Sequence, residues 1–267
     1  MRISVAGLSY KLIKRTLAMK YFWLTFLLLN SSICLAQSAT VAVASNMKDA
    51  FSEIQAVFTV SAKTDLKVIY GSSGNFTRQI MNGAPFDLFI SADEQFPLAL
   101  VKNGKTIDSG AVYAIGKIVL LTKKSSGIAL KSNQGDLASV LSKANKIAMA
   151  KPEIAPYGHA AIEYMQAMNL WNIAKSKLVY GDNISVATMF VTSGAADIGF
   201  SALSLAKSPA IEKETDYLLL DESLYQPILQ RMVLMKGAPS VAVNLYQFMQ
   251  SAQAKAILLK YGYSVPQ

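Results

Sequence analysis

Residues 40–58 read Thr-Val-Ala-Val-Ala-Ser-Asn-Met-Lys-Asp-Ala-Phe-Ser-Glu-Ile-Gln-Ala-Val-Phe. The first five are apolar or β-branched, which predicts a buried strand over 40–44. From residue 47 onward the apolar side chains recur at helical spacing, which predicts an amphipathic helix over 47–58. A buried strand that runs through a short polar turn into such a helix is the repeating unit of an α/β fold with parallel strands.

The same alternation continues along the chain. Further strands are predicted at 66–70, 87–90, 117–122, 146–149, 177–180 and 198–201, and helices at 76–82, 158–168 and 185–192. Residues 240–261 are predicted to form two helices that close back on the first part of the chain. Strands rather than loops can connect two lobes, so we expect the chain to cross between lobes near Gly116 and again in a strand at 230–235.

The first 36 residues have the features of a cleavable secretory signal. They hold no Asp or Glu, carry five basic residues, and contain an apolar run at 21–29 followed by mostly small residues. This pattern predicts export to the periplasm with cleavage after Ala36, from a start at Met1 or Met19. The apolar run is about half of the ~20 residues that a membrane-spanning helix needs, which argues against an anchor. Residues 31–33 before Cys34 lack the pattern of a lipoprotein attachment site.

Removal of this segment changes the charge and the cysteine content. The 26 basic residues fall to 21 against 17 acidic ones, so the formal charge falls from +9 to +4. Cys34 is the only cysteine and leaves with the signal, which suits an oxidising compartment. The remaining charge is evenly scattered and the aromatic residues fall at core spacing, so we expect no nucleic-acid partner.

The catalytic residue types are few. His159 is the only histidine, and no nucleophile-elbow motif, phosphate-binding loop or cluster of metal ligands accompanies it. The sequence therefore nominates no catalytic residue, and we expect a protein that is not an enzyme.

The strand-to-helix turns carry the most informative residues. They are Ser45-Asn46, residues 71–75 (Gly-Ser-Ser-Gly-Asn), residues 151–158, and residues 181–184. Ligands of α/β sheets bind beyond the carboxyl ends of the strands, where helix N–H groups and the helix dipole favour an anion. Any one of these turns is an ordinary helix cap, but two glycines around two serines exceed what capping requires. The spacing predicts an anion site without identifying the ligand.

Several segments together resemble the periplasmic molybdate-binding proteins of ABC transporters. The most specific is residues 83–93, Gly-Ala-Pro-Phe-Asp-Leu-Phe-Ile-Ser-Ala-Asp; residues 41–47, 70–74, 78–80, 156–158, 181–184, 196–200 and 260–263 extend the match over about residues 40–265. The resemblance implies a two-lobed type II periplasmic-binding-protein fold, in which each lobe is a mostly parallel sheet flanked by helices and the ligand lies between the lobes. We expect residues 37–116 plus 229–267 to form lobe 1 and residues 117–228 to form lobe 2.

The resemblance also implies the ligand contacts. They are the hydroxyl and N–H of Ser45, the amide region of Asn46 and the hydroxyl and N–H of Ser73, with the backbone N–H groups of Tyr157 and Ile184 from the second lobe. These groups contact the oxygens of molybdate or tungstate and not the metal atom. Some family members add a tyrosine hydroxyl where this chain has Ala202, and we expect Asn46 to replace that contact.

The implied function is binding of molybdate or tungstate by a monomer that needs no cofactor and delivers the ion to a membrane permease. A shell without a carboxylate acceptor argues against phosphate, which carries a proton near pH 7. Sulfate stays an alternative ligand, because the choice among unprotonated oxyanions depends on cavity size. A hydrolase that uses His159, and a signalling or adhesion module, are the alternatives from other classes.

Overall fold

The computed structural model describes residues 38–62, 64–130 and 137–266. The predicted signal and its cleavage site lie outside the described residues. The remainder contains two separate five-stranded sheets, each flanked by helices, and the prediction of a two-lobed α/β fold is confirmed. In the described part of the chain, no helix is long and apolar enough to cross a membrane.

The first sheet contains strands from both ends of the chain. Its strands are β1 (Ala39–Ala44), β2 (Leu66–Gly71), β3 (Leu88–Ile90), β4 (Ala111–Gly116) and β10 (Ile228–Leu234), in the spatial order β2-β1-β3-β10-β4. β1 pairs in parallel with β2 and β3, whereas β10 is antiparallel to both of its neighbours. Four strands therefore run in one direction and β10 runs against them, as expected for a mostly parallel sheet.

The second sheet has the same plan. Its strands are β5 (Ile118–Lys123), β6 (Ile147–Ala150), β7 (Leu178–Gly181), β8 (Ile198–Ala202) and β9 (Thr215–Leu219), in the order β7-β6-β8-β5-β9. Here β5 is the reversed strand, antiparallel to β8 and β9. The chain enters this sheet directly from β4 through Lys117 and returns to the first sheet between β9 and β10. A strand that enters a sheet without a crossover helix need not follow the parallel direction of its neighbours.

The helices cover both sheets and give each its own core. A single 3₁₀ turn (Ser45–Met47) leads into α1 (Lys48–Ala62). The other helices are α2 (Ser73–Met81), α3 (Gln95–Lys102), α4 (Leu137–Lys143), α5 (Pro156–Ala167), α6 (Trp171–Ala174), α7 (Ile184–Thr192), α8 (Leu203–Ala206), α9 (Pro209–Glu214), α10 (Ser240–Phe248) and α11 (Ala252–Lys260). The last two pack against the core of the first sheet, as predicted.

The boundaries of three helices differ from the prediction at positions that matter for the site. α2 begins at Ser73 and not at 76, α5 at Pro156 and not at 158, and α7 at Ile184 and not at 185. The glycine-serine turn is therefore shorter than expected, and Ser73 and Gly74 belong to the first helical turn. Their N–H groups thus lie among those that have no acceptor within a helix.

Candidate functional site

The five residues expected to bind the ligand meet at one small cavity between the two sheets. Ser45, Asn46, Ser73, Tyr157 and Ile184 all line it and are 1–4% exposed. The remaining lining residues are Ala44, Gly71, Ser72, Ala92, Ala155, Pro156 and Asn183, so no charged side chain lines it. Its volume is about 10 Å³, which is about enough for one water molecule. The cavity is thus neutral, buried and suited only to a small ligand.

The serines at the start of α2 differ in their partners. The Ser73 hydroxyl accepts the N–H of Ala92 (3.0 Å), which leaves its own proton free to donate. The Ser72 hydroxyl is buried and has no hydrogen-bond partner. Among the described residues, the only other buried side-chain atom in this condition is Oδ1 of Asn46. Buried polar atoms are nearly always paired, so both atoms are open to a partner that the protein itself does not supply.

Gly74 brings the two lobes together at the edge of the cavity. Its N–H donates to the carbonyl of Ile154 in the loop before α5 (3.0 Å). A Cβ at this position would lie 2.8 Å from Cα of Ile154 and 2.9 Å from the ring of Phe96. The glycine therefore permits the close approach of the opposite lobe.

A second contact between the lobes lies at Ser45. The Ser185 hydroxyl in α7 donates to the Ser45 carbonyl (2.8 Å), and the Ser185 N–H lies 3.4 Å from the Ser45 hydroxyl. Ile184, one residue earlier, is the first residue of α7, and Asn183 caps that helix by accepting the N–H of Val186. Tyr157 is the second residue of α5. Both N–H groups expected to bind ligand therefore lie in first helical turns, where the dipole favours an anion.

Behind the cavity, Asn46 belongs to a buried polar network that spans both sheets. Its Nδ2 donates to Oε1 of Gln230 (3.0 Å) and to the hydroxyl of Tyr263 (2.8 Å), and lies 3.4 Å from the hydroxyl of Tyr157. The Tyr263 hydroxyl also lies 2.9 Å from that of Ser204, which donates to the Asn46 carbonyl (2.8 Å). Burial raises the pKa of Tyr157 and of Tyr263 well above the usual value, so these hydroxyls keep their protons.

Gly116 makes room for this network. A Cβ there would lie 2.2 Å from the Tyr157 hydroxyl and 2.5 Å from Nε2 of Gln230. Since Gly116 ends β4 just before the chain crosses to the second sheet, the crossing point packs directly against the residues behind the cavity.

Asn46 and Tyr157 were expected at the site, but the sequence did not point to the other members of this network. Gln230 is fully buried in β10, and Tyr113 in β4 donates to the Ser91 carbonyl (2.8 Å) and lies 2.8 Å from Oε1 of Gln230. The only signal for any of these residues was the family resemblance at 260–263, which includes Tyr263 but suggested no role for it. Ala202 is fully buried at the end of β8 and does not line the cavity.

A larger cleft of about 480 Å³ lies beside the cavity and contains His159. Nε2 of His159 lies 3.3 Å from Glu163, and Asp93, Glu94 and Glu153 also line this cleft. Burial raises the pKa of Asp93 to about 6. The described lining contains no serine, threonine, cysteine or lysine to serve as nucleophile, and no group of three or more potential metal-ligating His, Cys, Asp or Glu occurs in the described residues.

Comparison with known proteins identifies the family of this chain. The family model described as bacterial extracellular solute-binding protein matches residues 39–264. The molybdate-binding protein ModA of Rhodobacter capsulatus is 37% identical over 85% of this chain and 88% of its own length, and that of Azotobacter vinelandii is 34% identical over 87% and 92%. The solved structure of the Azotobacter vinelandii periplasmic molybdate-binding protein superimposes with a TM-score of 0.78 at 29% identity, covering 86% of this chain and all of that one. The chain therefore belongs to the bacterial extracellular solute-binding protein family.

Proposed function

We propose that this protein binds molybdate and tungstate and delivers them to the membrane permease of an ABC transporter. The observation that carries the proposal is the neutral cavity at which Ser45, Asn46, Ser73, Tyr157 and Ile184 meet. Relatives named for molybdate binding, at 34–37% identity over most of the chain, give the ligand its identity.

The chemistry of the lining suits a fully ionised oxyanion. Hydroxyl and backbone N–H donors each form a charge-assisted hydrogen bond worth roughly 1.5–3 kcal/mol with such an ion. Helix N-termini at Tyr157 and Ile184 supply further positive potential. No countercharge is required, because several such donors together offset much of the desolvation of the ion.

The small volume supports closure of two lobes around the ligand. We propose that residues 37–116 plus 229–267 form one lobe and residues 117–228 the other, and that the cleft widens slightly to accept a tetrahedral ion. Ligand that binds the closed form more tightly shifts the protein towards it. Further parts of the proposal are export to the periplasm with cleavage near Ala36, a monomer, no catalytic activity, no cofactor and no nucleic-acid partner.

The test is a calorimetric and thermal-shift series on the protein lacking residues 1–36. Molybdate and tungstate are expected to bind, and a ligand at 100 times its Kd should raise the unfolding free energy by ~2.7 kcal/mol. The stabilisation by sulfate at the same concentrations is compared with the stabilisation by molybdate. Stabilisation by sulfate without stabilisation by molybdate would contradict the proposed ligand and favour the sulfate alternative.

A further inference from the structure

The orientation of the Asn46 side-chain amide decides whether the cavity offers its ligand a donor or an acceptor. With Nδ2 directed to Gln230 and Tyr263, the amide oxygen is the atom left without a partner. An unpartnered oxygen beside an ionised oxyanion is repulsive, because both groups only accept hydrogen bonds. Amide nitrogen and oxygen occupy nearly the same space, so the surrounding donors and acceptors decide which way the amide faces.

Tyr113 restricts that choice. Its hydroxyl lies 2.8 Å from the Ser91 carbonyl and 2.8 Å from the amide of Gln230. The hydroxyl has one proton, and the Ser91 carbonyl can only accept. If the proton goes to Ser91, the Gln230 atom that faces Tyr113 must itself donate, and only the amide nitrogen can do so.

The constraint passes from Gln230 to Asn46. With its nitrogen towards Tyr113, Gln230 directs a second proton to the Asn46 atom 3.0 Å away, which must then be the Asn46 oxygen. That oxygen also accepts from the Tyr263 hydroxyl at 2.8 Å. The Gln230 oxygen, on its other side, accepts from the Tyr157 hydroxyl at 2.9 Å. In this arrangement the Tyr263 proton goes to Asn46 Oδ1 instead of the Ser204 hydroxyl or the Asn46 carbonyl, and Ser204 still donates to that carbonyl. Rotation of both amides by 180° therefore gives Gln230 and the Asn46 oxygen complementary partners and leaves the Asn46 nitrogen as the group without a protein partner.

We propose that Tyr113 and Gln230 are positioning residues that turn the Asn46 amide nitrogen towards the ligand and thereby make the site discriminate against oxyanions that carry a proton. The inference rests on the proposed function. Neither residue lines the cavity, so they act through Asn46. With the Asn46 oxygen turned away, hydrogen phosphate loses an amide acceptor for its proton and is left with weaker acceptors such as the serine hydroxyls, whereas molybdate has no proton to place.

The experiment compares the Kd of inorganic phosphate with the Kd of molybdate in Tyr113→Phe. The substitution removes one hydroxyl and frees Gln230 to turn, so the ratio of the two constants is expected to fall about tenfold, the equivalent of one hydrogen bond to a charged group. Tyr225→Phe is the matched control: its hydroxyl is also buried but contacts the Ile118 N–H (3.3 Å) outside the network. The control is expected to leave the ratio unchanged.

A second comparison separates positioning from general loosening. In the Asn46→Ala background, Tyr113→Phe should no longer change the ratio, because the residue through which it acts is gone. An unchanged ratio in Tyr113→Phe alone, or the same change with and without Asn46, would overturn the inference. Absence of molybdate binding by the unaltered protein would overturn the proposed function and this inference with it.

The unaltered protein provides a test that does not depend on a change in affinity. In ¹⁵N-labelled protein saturated with molybdate, we expect no nuclear Overhauser effect between the Asn46 side-chain amide protons and the Tyr263 ring. The amide resonances are identified by their loss in Asn46→Asp. A strong effect in the molybdate complex would show that the nitrogen still faces Tyr263 and would refute the proposed orientation.

Discussion

Substitution of Ser73 by alanine is expected to separate the two functions of its hydroxyl. The oxygen accepts the buried Ala92 N–H at 3.0 Å, while the proton is free for the ligand. Loss of the donor to an oxyanion should raise Kd by roughly tenfold to 150-fold, from ~1.5–3 kcal/mol. Loss of the acceptor leaves the Ala92 N–H unpaired and should lower the unfolding free energy of the ligand-free protein by ~1–3 kcal/mol. Each kcal/mol lost should lower the Tm by roughly 2–4 °C.

The adjacent serine is the control within the same turn. The Ser72 hydroxyl has no partner to lose, so Ser72→Ala should leave the stability of the ligand-free protein within about 0.5 kcal/mol and weaken molybdate binding less than Ser73→Ala does. Calorimetric titration and thermal unfolding on both variants measure the two effects. Equal losses of affinity would show that the ligand is not held as the family resemblance implies, and an unchanged Kd in Ser73→Ala would refute the contact itself.

Three further changes test other parts of the site. Gly74→Ala should weaken molybdate binding at least about tenfold, since its Cβ would lie 2.8 Å from Ile154 and hold the lobes apart; titration checks this, and unaltered affinity would contradict it. The buried Asp93 carboxyl, with its pKa raised to about 6, favours the folded state while protonated, so the unfolding free energy should fall by up to roughly 2 kcal/mol as the pH rises from about 4 to 7. Unfolding curves should lose this dependence in Asp93→Asn, and its persistence would assign it elsewhere. His159→Ala should leave molybdate affinity within about twofold, because the side chain is 67% exposed in the neighbouring cleft; a large loss would show that this cleft contributes to ligand binding.

Local pattern was sufficient to predict most of the elements that form the site. Residues 40–58 gave the strand and helix observed at Ala39–Ala44 and Lys48–Ala62, because buried strands and amphipathic helices follow from periodicity alone. The edge strand Thr215–Leu219 was not predicted, because apolar and polar residues alternate only weakly along it. Its extended conformation depends on pairing with β5. The antiparallel direction of β5 and β10 depends on where the chain crosses between sheets, which periodicity does not encode.

The polar network behind the cavity was beyond prediction for a different reason. Asn46 meets Gln230 and Tyr263 across 184 and 217 residues of sequence, and nothing in the local pattern distinguishes a buried glutamine in a strand from an exposed one. Only the packing of β10 and the C-terminal segment beside the 3₁₀ turn brings these groups together. The family resemblance supplied the contact residues, but it did not indicate what orients them.

The energetics of the closed cleft show why such a site depends on its ligand. Contacts between the lobes, such as those at Ser45–Ser185 and Gly74–Ile154, each contribute roughly 0.5–1.5 kcal/mol to closure. The unpaired side-chain atom of Asn46 opposes it by roughly 1–3 kcal/mol. A ligand that pairs with the Asn46 amide removes at least ~1 kcal/mol of this cost, which shifts the closed population about fivefold. The Asn46 amide, which is expected to contact the oxyanion, therefore also disfavours closure without it, so closure reports that the cleft is occupied.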